Sequence, residues 1–445
     1  MYKVLVWAVL LMGAQNGWAR QETREVLKLS MEDAVKQAVE SNWQVQKANQ
    51  NLGIATSELR SSNAVFLPSV NLSETYATTT DPLSAFGFKL QQQIASTSDF
   101  NPEVLNDPGA VDNFKTRIYA EQPIINLDGI NARKAASAGV QASEFNLRWT
   151  RSQIALQAKN LYFQLQLAHE KRKVAESALQ AAEANYKVAN DLFDQDLIHK
   201  ADLLSAELRM TEVQSERIAT ENQINDGNAV LTHFLGLDRS MTIFPIDPIA
   251  NMEVPKEYLK MTEISTGRSD LQALSSQVMA TDQLVKSARG GLLPRLNAFA
   301  SYEWNDQSLF GTNANNYMLG AKLEWDIFKG GKNLAKIQKA TYQRNLAEIN
   351  YQEKLSDGQR ELDRTRANLI LAKKQVELAE LAIKQAEETY KVRADRFEEG
   401  LERTSDVLLA ESDLLAKKIN HLQSMNRFQQ LVFNLEMLLE QELTL

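Results

Sequence analysis

Seven large apolar residues, Leu355, Leu362, Leu369, Val376, Ile383, Tyr390 and Phe397, recur at a strict spacing of seven, and Ala372, Ala379 and Ala386 each follow one of them by three positions. A straight helix drifts about 20° per heptad against such a repeat, so keeping it requires a left-handed supercoil with a neighbouring helix. At about 1.5 Å per residue, Gly331 to Phe397 makes a rod of roughly 100 Å, far longer than a domain core is wide. Glu399-Gly400 turns the rod, with Gly supplying the unusual backbone angles, and Thr404–Glu440 returns along it. The seam predicts that the other partners are long helices as well.

The chain has 445 residues with a net charge of -8 and no cysteine. The acidic balance offers no footprint for nucleic acid, and without cysteine there is neither thiolate chemistry nor a lipobox for an N-terminal lipid. Lys3, the apolar run Val4–Met12 and the small-residue ending Gly17-Trp18-Ala19 read as a signal peptide over residues 1–19. No later run reaches the roughly 20 apolar residues of a spanning helix, so membrane insertion would have to use strands.

Taken in order, Ser30-Met31-Glu32-Asp33 opens a helix with Ser30 as N-cap, running to about Val65 and ended by Phe66-Leu67-Pro68. A strand over Ser69–Thr80, a long exposed loop over Asp81–Asp112 and a second strand over Phe114–Asn126 follow. A helix to about Asp194, a tip at Gln195–His199 and a return helix Ala201–Leu235 complete the first half. After a proline-broken stretch with a short helix near Lys256–Met261, the programme repeats: helix Arg268–Gly290, strand Arg295–Asn305, loop Asp306–Asn316, strand Tyr317–Phe328, then the rod. "NYKVANDLFDQDLIHKADLLSAE" (Asn185–Glu207) aligns without a gap to "TYKVRADRFEEGLERTSDVLLAE" (Thr389–Glu411), a match dense enough to signify an internal duplication. The expected organisation is a signal peptide at 1–19, a first repeat at 20–236, an irregular equatorial connector at 237–267 and a second repeat at 268–445.

Tyr317, Leu319, Ala321, Leu323, Trp325 and Ile327 fall on one face of their strand, and Met318, Gly320, Lys322, Glu324 and Asp326 on the other. A transmembrane barrel strand alternates in this way, and so does a strand of a soluble sandwich. Strands leading directly into rods of roughly 100 Å leave no room for a sandwich on the same axis. Four strands cannot close a barrel, and open edges in lipid leave backbone groups unpaired at several kcal/mol each, so sister chains must complete the sheet. Three copies, giving twelve strands, fit a membrane barrel continued by a helical tube; two copies would also close.

The chain resembles the TolC family of outer membrane efflux proteins along almost all its mature length, from "LSMEDAVKQAVESN" at Leu29–Asn42 through both Leu-Pro strand starts to the last helix, most specifically in "FEEGLERTSDVL" at Phe397–Leu408. The resemblance implies an α+β membrane protein: a homotrimer with a 12-stranded outer membrane barrel, to which each protomer gives four strands, continued by helical hairpins that form a periplasmic tunnel. It implies no enzyme and no cofactor, with a periplasmic adaptor, an inner membrane transporter and outer membrane lipid as partners. Asp406 matches an acidic ring at the closed tunnel mouth in the family, and three like charges there would attract cations and raise one another's pKa. Asp406 also sits where it would cap the return helix, beside Thr404 and Ser405. The family's second acidic position is Leu409; Phe397 stands where a gate Tyr occurs and Glu402 where a gate Arg occurs, with Arg403 adjacent, so that hydrogen-bonded lock does not carry over intact. Asp202, the duplicate of Asp406, is a further candidate for the mouth. Gly400 and Leu401, with Leu197 and Ile198, occupy the two tips that in the family meet the adaptor.

His169, His199, His233 and His421 are scattered, with no metal-ligand spacing, and Gly290-Gly291 and Gly330-Gly331 belong to no phosphate-binding pattern. With the resemblance, the expectation is a passive exit duct of a tripartite efflux or type I secretion system. A long coiled-coil periplasmic scaffold or tether without a pore, its strands folded into a small soluble cap, is the competing expectation.

Overall fold

A computed structural model describes residues 26–249, 254, 258 and 261–440. The signal peptide expected at 1–19 lies outside the described residues, as does most of the short helix expected near Lys256–Met261. The elements are β1 (Val26–Leu29), α1 (Met31–Ser41), α2 (Trp43–Ser61), β2 (Ser69–Thr79), α3 (Pro82–Gln91), α4 (Pro102–Asn106), β3 (Val111–Ile125), α5 (Leu127–Asp194), α6 (Lys200–Phe234), β4 (Thr242–Pro245), α7 (Ser269–Gly290), β5 (Arg295–Asp306), β6 (Ala314–Glu324), α8 (Lys332–Glu398) and α9 (Thr404–Leu439). The two helices of 68 and 67 residues, α5 and α8, begin and end within a residue or two of where the sequence places them. Among the described residues no helix is long and apolar enough to cross a membrane.

The described residues divide into two compact units, one drawn from 26–38, 158–249 and 379–426, the other from 39–157, 261–378 and 427–440. The second unit holds the sheet, with strand order β2-β3-β5-β6 and every neighbouring pair antiparallel. Its register sorts side chains by face. Leu72, Ile118, Tyr302 and Tyr317 form one row across the four strands, and the next row, on the opposite face, is Ser73, Arg117, Glu303 and Asn316. The apolar face carries Val70, Leu72, Leu319 and Leu323, all exposed. On the polar face Arg117 Nε lies 3.1 Å from Glu303 Oε1, and Asn297 Nδ2 donates to Glu121 Oε1 at 2.6 Å. Glu74 also lies on the apolar face, and the Thr116 hydroxyl opposite it donates to its carboxylate.

Several boundaries differ from the sequence expectation. The fourth strand runs Ala314–Glu324 rather than Tyr317–Phe328, because its ladder ends at Glu324 opposite Arg295, and the next β5-side residue is Pro294, which has no N–H to donate. Trp325 and Ile327 thus lie beyond the strand, with Trp325 Nε1 donating to Leu292 O at 3.0 Å. The expected loop Asp81–Asp112 folds into α3, a 3-10 turn Thr97–Phe100 and α4. Asp81-Pro82 and Asn101-Pro102 are N-cap and N1 pairs: Asp81 accepts from Ser84 N at 2.8 Å and Asn101 from Glu103 N at 3.1 Å, so prolines that suggest a loop start helices instead. Gln92 at the end of α3 donates to Asn113 Oδ1 at 2.9 Å, and Asn113 donates to Asn305 Oδ1 at 3.0 Å, fastening this segment to the polar face of the sheet. The first long helix is interrupted at Asn42, whose extended backbone and side-chain bond to Gln44 N begin α2.

Within the 237–267 connector, β4 pairs in parallel with β1, a two-stranded sheet without a counterpart in the sequence reading. Strands of four residues do not stand alone. Here the fixing contacts are polar: the Tyr162 hydroxyl lies 2.9 Å from Leu29 O and 2.8 Å from Asp247 Oδ2, Met31 N donates to the same carboxylate at 2.6 Å, and Gln166 Nε2 donates to Asp247 O at 2.7 Å.

The heptad seam is buried as its spacing requires. In the second unit Leu362, Leu369 and Ala372 of α8 pack with Phe428, Val432, Leu435 and Leu439 of α9 and with Ile264 and Leu271. At about 25 cal/mol per Å² of apolar surface, each large side chain so buried contributes roughly 1.5–3 kcal/mol against the entropy of ordering the helix. In the first unit Phe397 ends the seam in a cluster with Ala189, Leu192, Ala206 and Val407.

Candidate functional site at the hairpin tips

Two turns close the hairpins α5–α6 and α8–α9, and their backbones match. Asp196 N donates to Phe193 O at 2.9 Å and Leu197 N to Leu192 O at 2.9 Å; Gly400 N donates to Phe397 O at 3.0 Å and Leu401 N to Arg396 O at 2.8 Å. Each turn needs one residue in the left-handed region, Asp196 at φ 58° and Gly400 at φ 71°. Gly reaches it without a Cβ penalty and Asp is among the few other residues that visit it. Gly400 thereby has a conformational role that its place in the sequence anticipates.

The side chains at the two tips differ. Leu197 is 64% exposed, and Leu401 is exposed at the same place in the other turn. Ile198, by contrast, packs against the cluster of Ala189, Leu192 and Phe397, so of the Leu197-Ile198 pair only Leu197 is apolar surface. Phe397 is 1% exposed and is interhelical core; the seam that ends on it turns it inward. Glu402, at the gate-Arg position, lies between two guanidinium groups: its Oε1 is 3.2 Å from Arg393 Nη1 and its Oε2 is 2.9 Å from Arg396 Nε. Arg393 Nη1 also lies 3.8 Å from Asp406 Oδ2. Arg403 is exposed, and its carbonyl accepts from Asp406 N at 3.0 Å in the first turn of α9. Leu409, in place of a second acidic residue, is 69% exposed.

Asp202 and Asp406 thus do different things at matching positions. Asp202 Oδ2 accepts from His199 N at 3.2 Å and closes the first turn of α6. Asp406 has its carboxylate turned to Arg393.

One further cluster, outside the candidate residues that the sequence offers, lies beside the tips. Glu411 of α9 is 3% exposed and is held by Asn185 of α5, whose Nδ2 donates at 2.6 Å, and by Arg209 of α6, whose Nε donates at 3.2 Å. Tyr390 of α8 accepts from Asn185 Nδ2 at 3.3 Å, so one polar node draws a side chain from each of four helices. Burial pushes the Glu411 carboxyl above its ordinary range, against the opposing pull of Asn185 and Arg209, and burial likewise raises the Tyr390 phenol. A signal for Glu411 was present: Val407, Glu411 and Leu415 share one α9 stripe, and a carboxylate on an apolar stripe needs a partner. Its partners, 226 and 202 residues away, were not legible.

Among the described residues no group of three His, Asp or Glu side chains could hold a metal ion. His169 stands edge-on to Phe244 at 5.3 Å, and its burial, followed by Arg172 and Lys173, depresses its pKa.

The chain thus combines a four-stranded antiparallel sheet, apolar on one face and charged on the other, with two hairpins of long helices. Residues 34–237 and 262–440 match the family model described as outer membrane efflux protein, and the chain belongs to that family. It is 23% identical over 265 residues to the probable outer membrane lipoprotein SilC of Salmonella typhimurium, a match covering 57% of this chain and 56% of that one. It is 22% identical over 211 residues, 45% of each chain, to the cation efflux system protein CusC of Escherichia coli strain K12. The matches therefore span about half the length of these relatives. The fold extends further: a solved CusC structure superposes with a TM-score of 0.78 at 16% identity over 93% of this chain and 92% of that one, and the Campylobacter jejuni CmeC outer membrane channel with 0.77 at 15% over 92% and 85%.

Proposed function

We propose that the protein is the outer membrane exit duct of a tripartite efflux or type I secretion assembly, conducting its cargo passively. Three copies would each contribute the sheet β2-β3-β5-β6 to a 12-stranded barrel with the Leu72 row toward lipid and the Arg117 row toward the lumen. The helical hairpins would line a periplasmic tunnel, arising by the internal duplication that the two matching stretches indicate. One observation supports this above the others: all four strands agree on which face is apolar, and the sheet ends in edge strands, β2 and β6, that only another chain can pair in lipid. A periplasmic scaffold with a soluble cap leaves that apolar face without a cover.

In this reading three Asp406 side chains face the tunnel axis near its mouth, with Arg403 and Leu409 close by, while Phe397 and Glu402 hold the turn. Leu197, Leu401 and the Gly400 turn form the surface offered to a periplasmic adaptor, which joins the duct to an inner membrane transporter. CusC is a cation efflux system protein, which makes inorganic cations the first cargo to test. The measurement that decides is made on protein extracted in detergent: a trimer giving stepwise conductance in a planar lipid bilayer supports the duct, and a monomer that needs no detergent and gives no conductance rejects it.

A further inference from the structure

The second tip carries a set of fixed charges that the first tip lacks. At the positions matching Arg393, Arg396 and Glu402 of the second tip, the first has Ala189, Leu192 and Ile198, which are apolar and packed in the cluster around Phe397. In the second tip Glu402 spends one carboxylate oxygen on Arg393 and the other on Arg396, and Arg396 Nη2 donates to Leu401 O at 3.2 Å. Arg393 is therefore not a free side chain on a long stem. It is tethered by Glu402 at 3.2 Å with its Nη1 also 3.8 Å from the Asp406 carboxylate, nine and thirteen residues away along the chain respectively.

We propose that Arg393 is a selectivity-determining residue of the duct, a built-in counter-charge that Glu402 holds in place against Asp406. This rests on the reading of Asp406 as a mouth residue. A bare ring of carboxylates concentrates cations and binds divalent ions, because like charges brought together lower the local potential steeply. A guanidinium anchored beside each carboxylate cancels much of that field while leaving the group ionised, and Arg keeps its charge at every physiological pH. Glu402 sets how much is cancelled, since it competes with Asp406 for the same Nη1. The mouth of this protein consequently discriminates little between small cations and anions and binds Mg2+ poorly.

The test uses the purified full-length trimer in planar bilayers, reading the K+/Cl- permeability ratio and the Mg2+ concentration for half-block. Arg393→Gln is expected to raise the ratio at least threefold and to lower the half-blocking Mg2+ concentration at least threefold; Arg393→Lys keeps the charge and stays within twofold of the wild type. Glu402→Gln releases Arg393 to Asp406 and moves both readouts the opposite way, so it tests the same idea should Arg393→Gln fail to assemble. Asp406→Asn lowers the ratio, and adding it to Arg393→Gln abolishes the gain. If Asp406→Asn shifts the readouts but neither Arg393→Gln nor Glu402→Gln does, the counter-charge role is overturned while the mouth reading stands. If Asp406→Asn also shifts nothing, Asp406 does not line the mouth.

Discussion

The stretches Asn185–Glu207 and Thr389–Glu411 share their aromatic, their turn and their Ala-Glu ending, and the two turns they form are superimposable in hydrogen-bond pattern. Their side chains nevertheless diverge in role. Glu207 is exposed, whereas its match Glu411 is buried in a node with Asn185 and Arg209. Asp202 closes a helix turn, whereas its match Asp406 faces an arginine. The difference teaches that backbone and side-chain roles are conserved separately here. The turn is local, set by one left-handed residue and two amide bonds, while burial depends on which helix face meets a neighbour: Ala206 and Val213 are the buried phase of α6, and Val407, Glu411 and Leu415 that of α9.

The largest contrast lies at the two glutamates. Glu411→Ala leaves the Arg209 and Asn185 groups buried without their acceptor, a loss on the order of 3–5 kcal/mol for one partner of a buried pair, whereas Glu207→Ala, on an exposed face, should stay within about 0.5 kcal/mol. Thermal unfolding of both variants in detergent checks this, and equal shifts would dissolve the contrast. The two turn residues come next. Gly400→Ala places a Cβ in the left-handed region at a cost of roughly 1–2 kcal/mol, while Asp196→Gly relieves a mild strain and is neutral or slightly stabilising by the same measurement.

Smaller is the pH response of the node. The folded Glu411 carboxyl titrates above its ordinary value of 4.5, so the folded state keeps a proton that the unfolded state has already lost. Its contribution is complete below about 4.5 and is lost as pH rises through the raised folded value. Glu411→Gln, which stays neutral, removes that fall, so the melting temperature of the variant relative to wild type should rise over this window. A constant difference across pH would mean that Glu411 is not the group responsible. The smallest effect belongs to Arg396→Gln, which removes a half-exposed ion pair with Glu402 worth about 0.2–1 kcal/mol; the matching Leu192→Gln, which places an amide in the apolar cluster, should cost more by calorimetry.

How much of this was legible in the chain varies with the range of the interaction. The heptad seam, the Leu-Pro strand starts and the Gly400 turn each act over a few residues, and the elements built from them lie where the spacing puts them. Pro82 and Pro102 give the segment after Thr79 the look of a loop, although each is preceded by a side chain able to cap a helix. The β1–β4 pair and the Glu411 node were out of reach: both depend on residues hundreds of positions apart meeting at hydrogen-bond distance, and neither Asp247 nor Arg209 carries a local mark of its partner.

The sequence by itself determined the periodicities: which residues form helices of some 67 residues, which strands alternate, and that the long helices must bury a seam. These follow from the 3.6- and 2-residue repeats, which any short window displays. Only the tertiary structure decided the register that sorts the sheet into an apolar and a charged face, the inward turn of Phe397 and the pairing of Glu402 and Asp406 with Arg393. Those outcomes rest on contacts between segments distant in the chain, where a displacement of one residue exchanges the buried face for the exposed one and a few ångströms decide whether two charges meet.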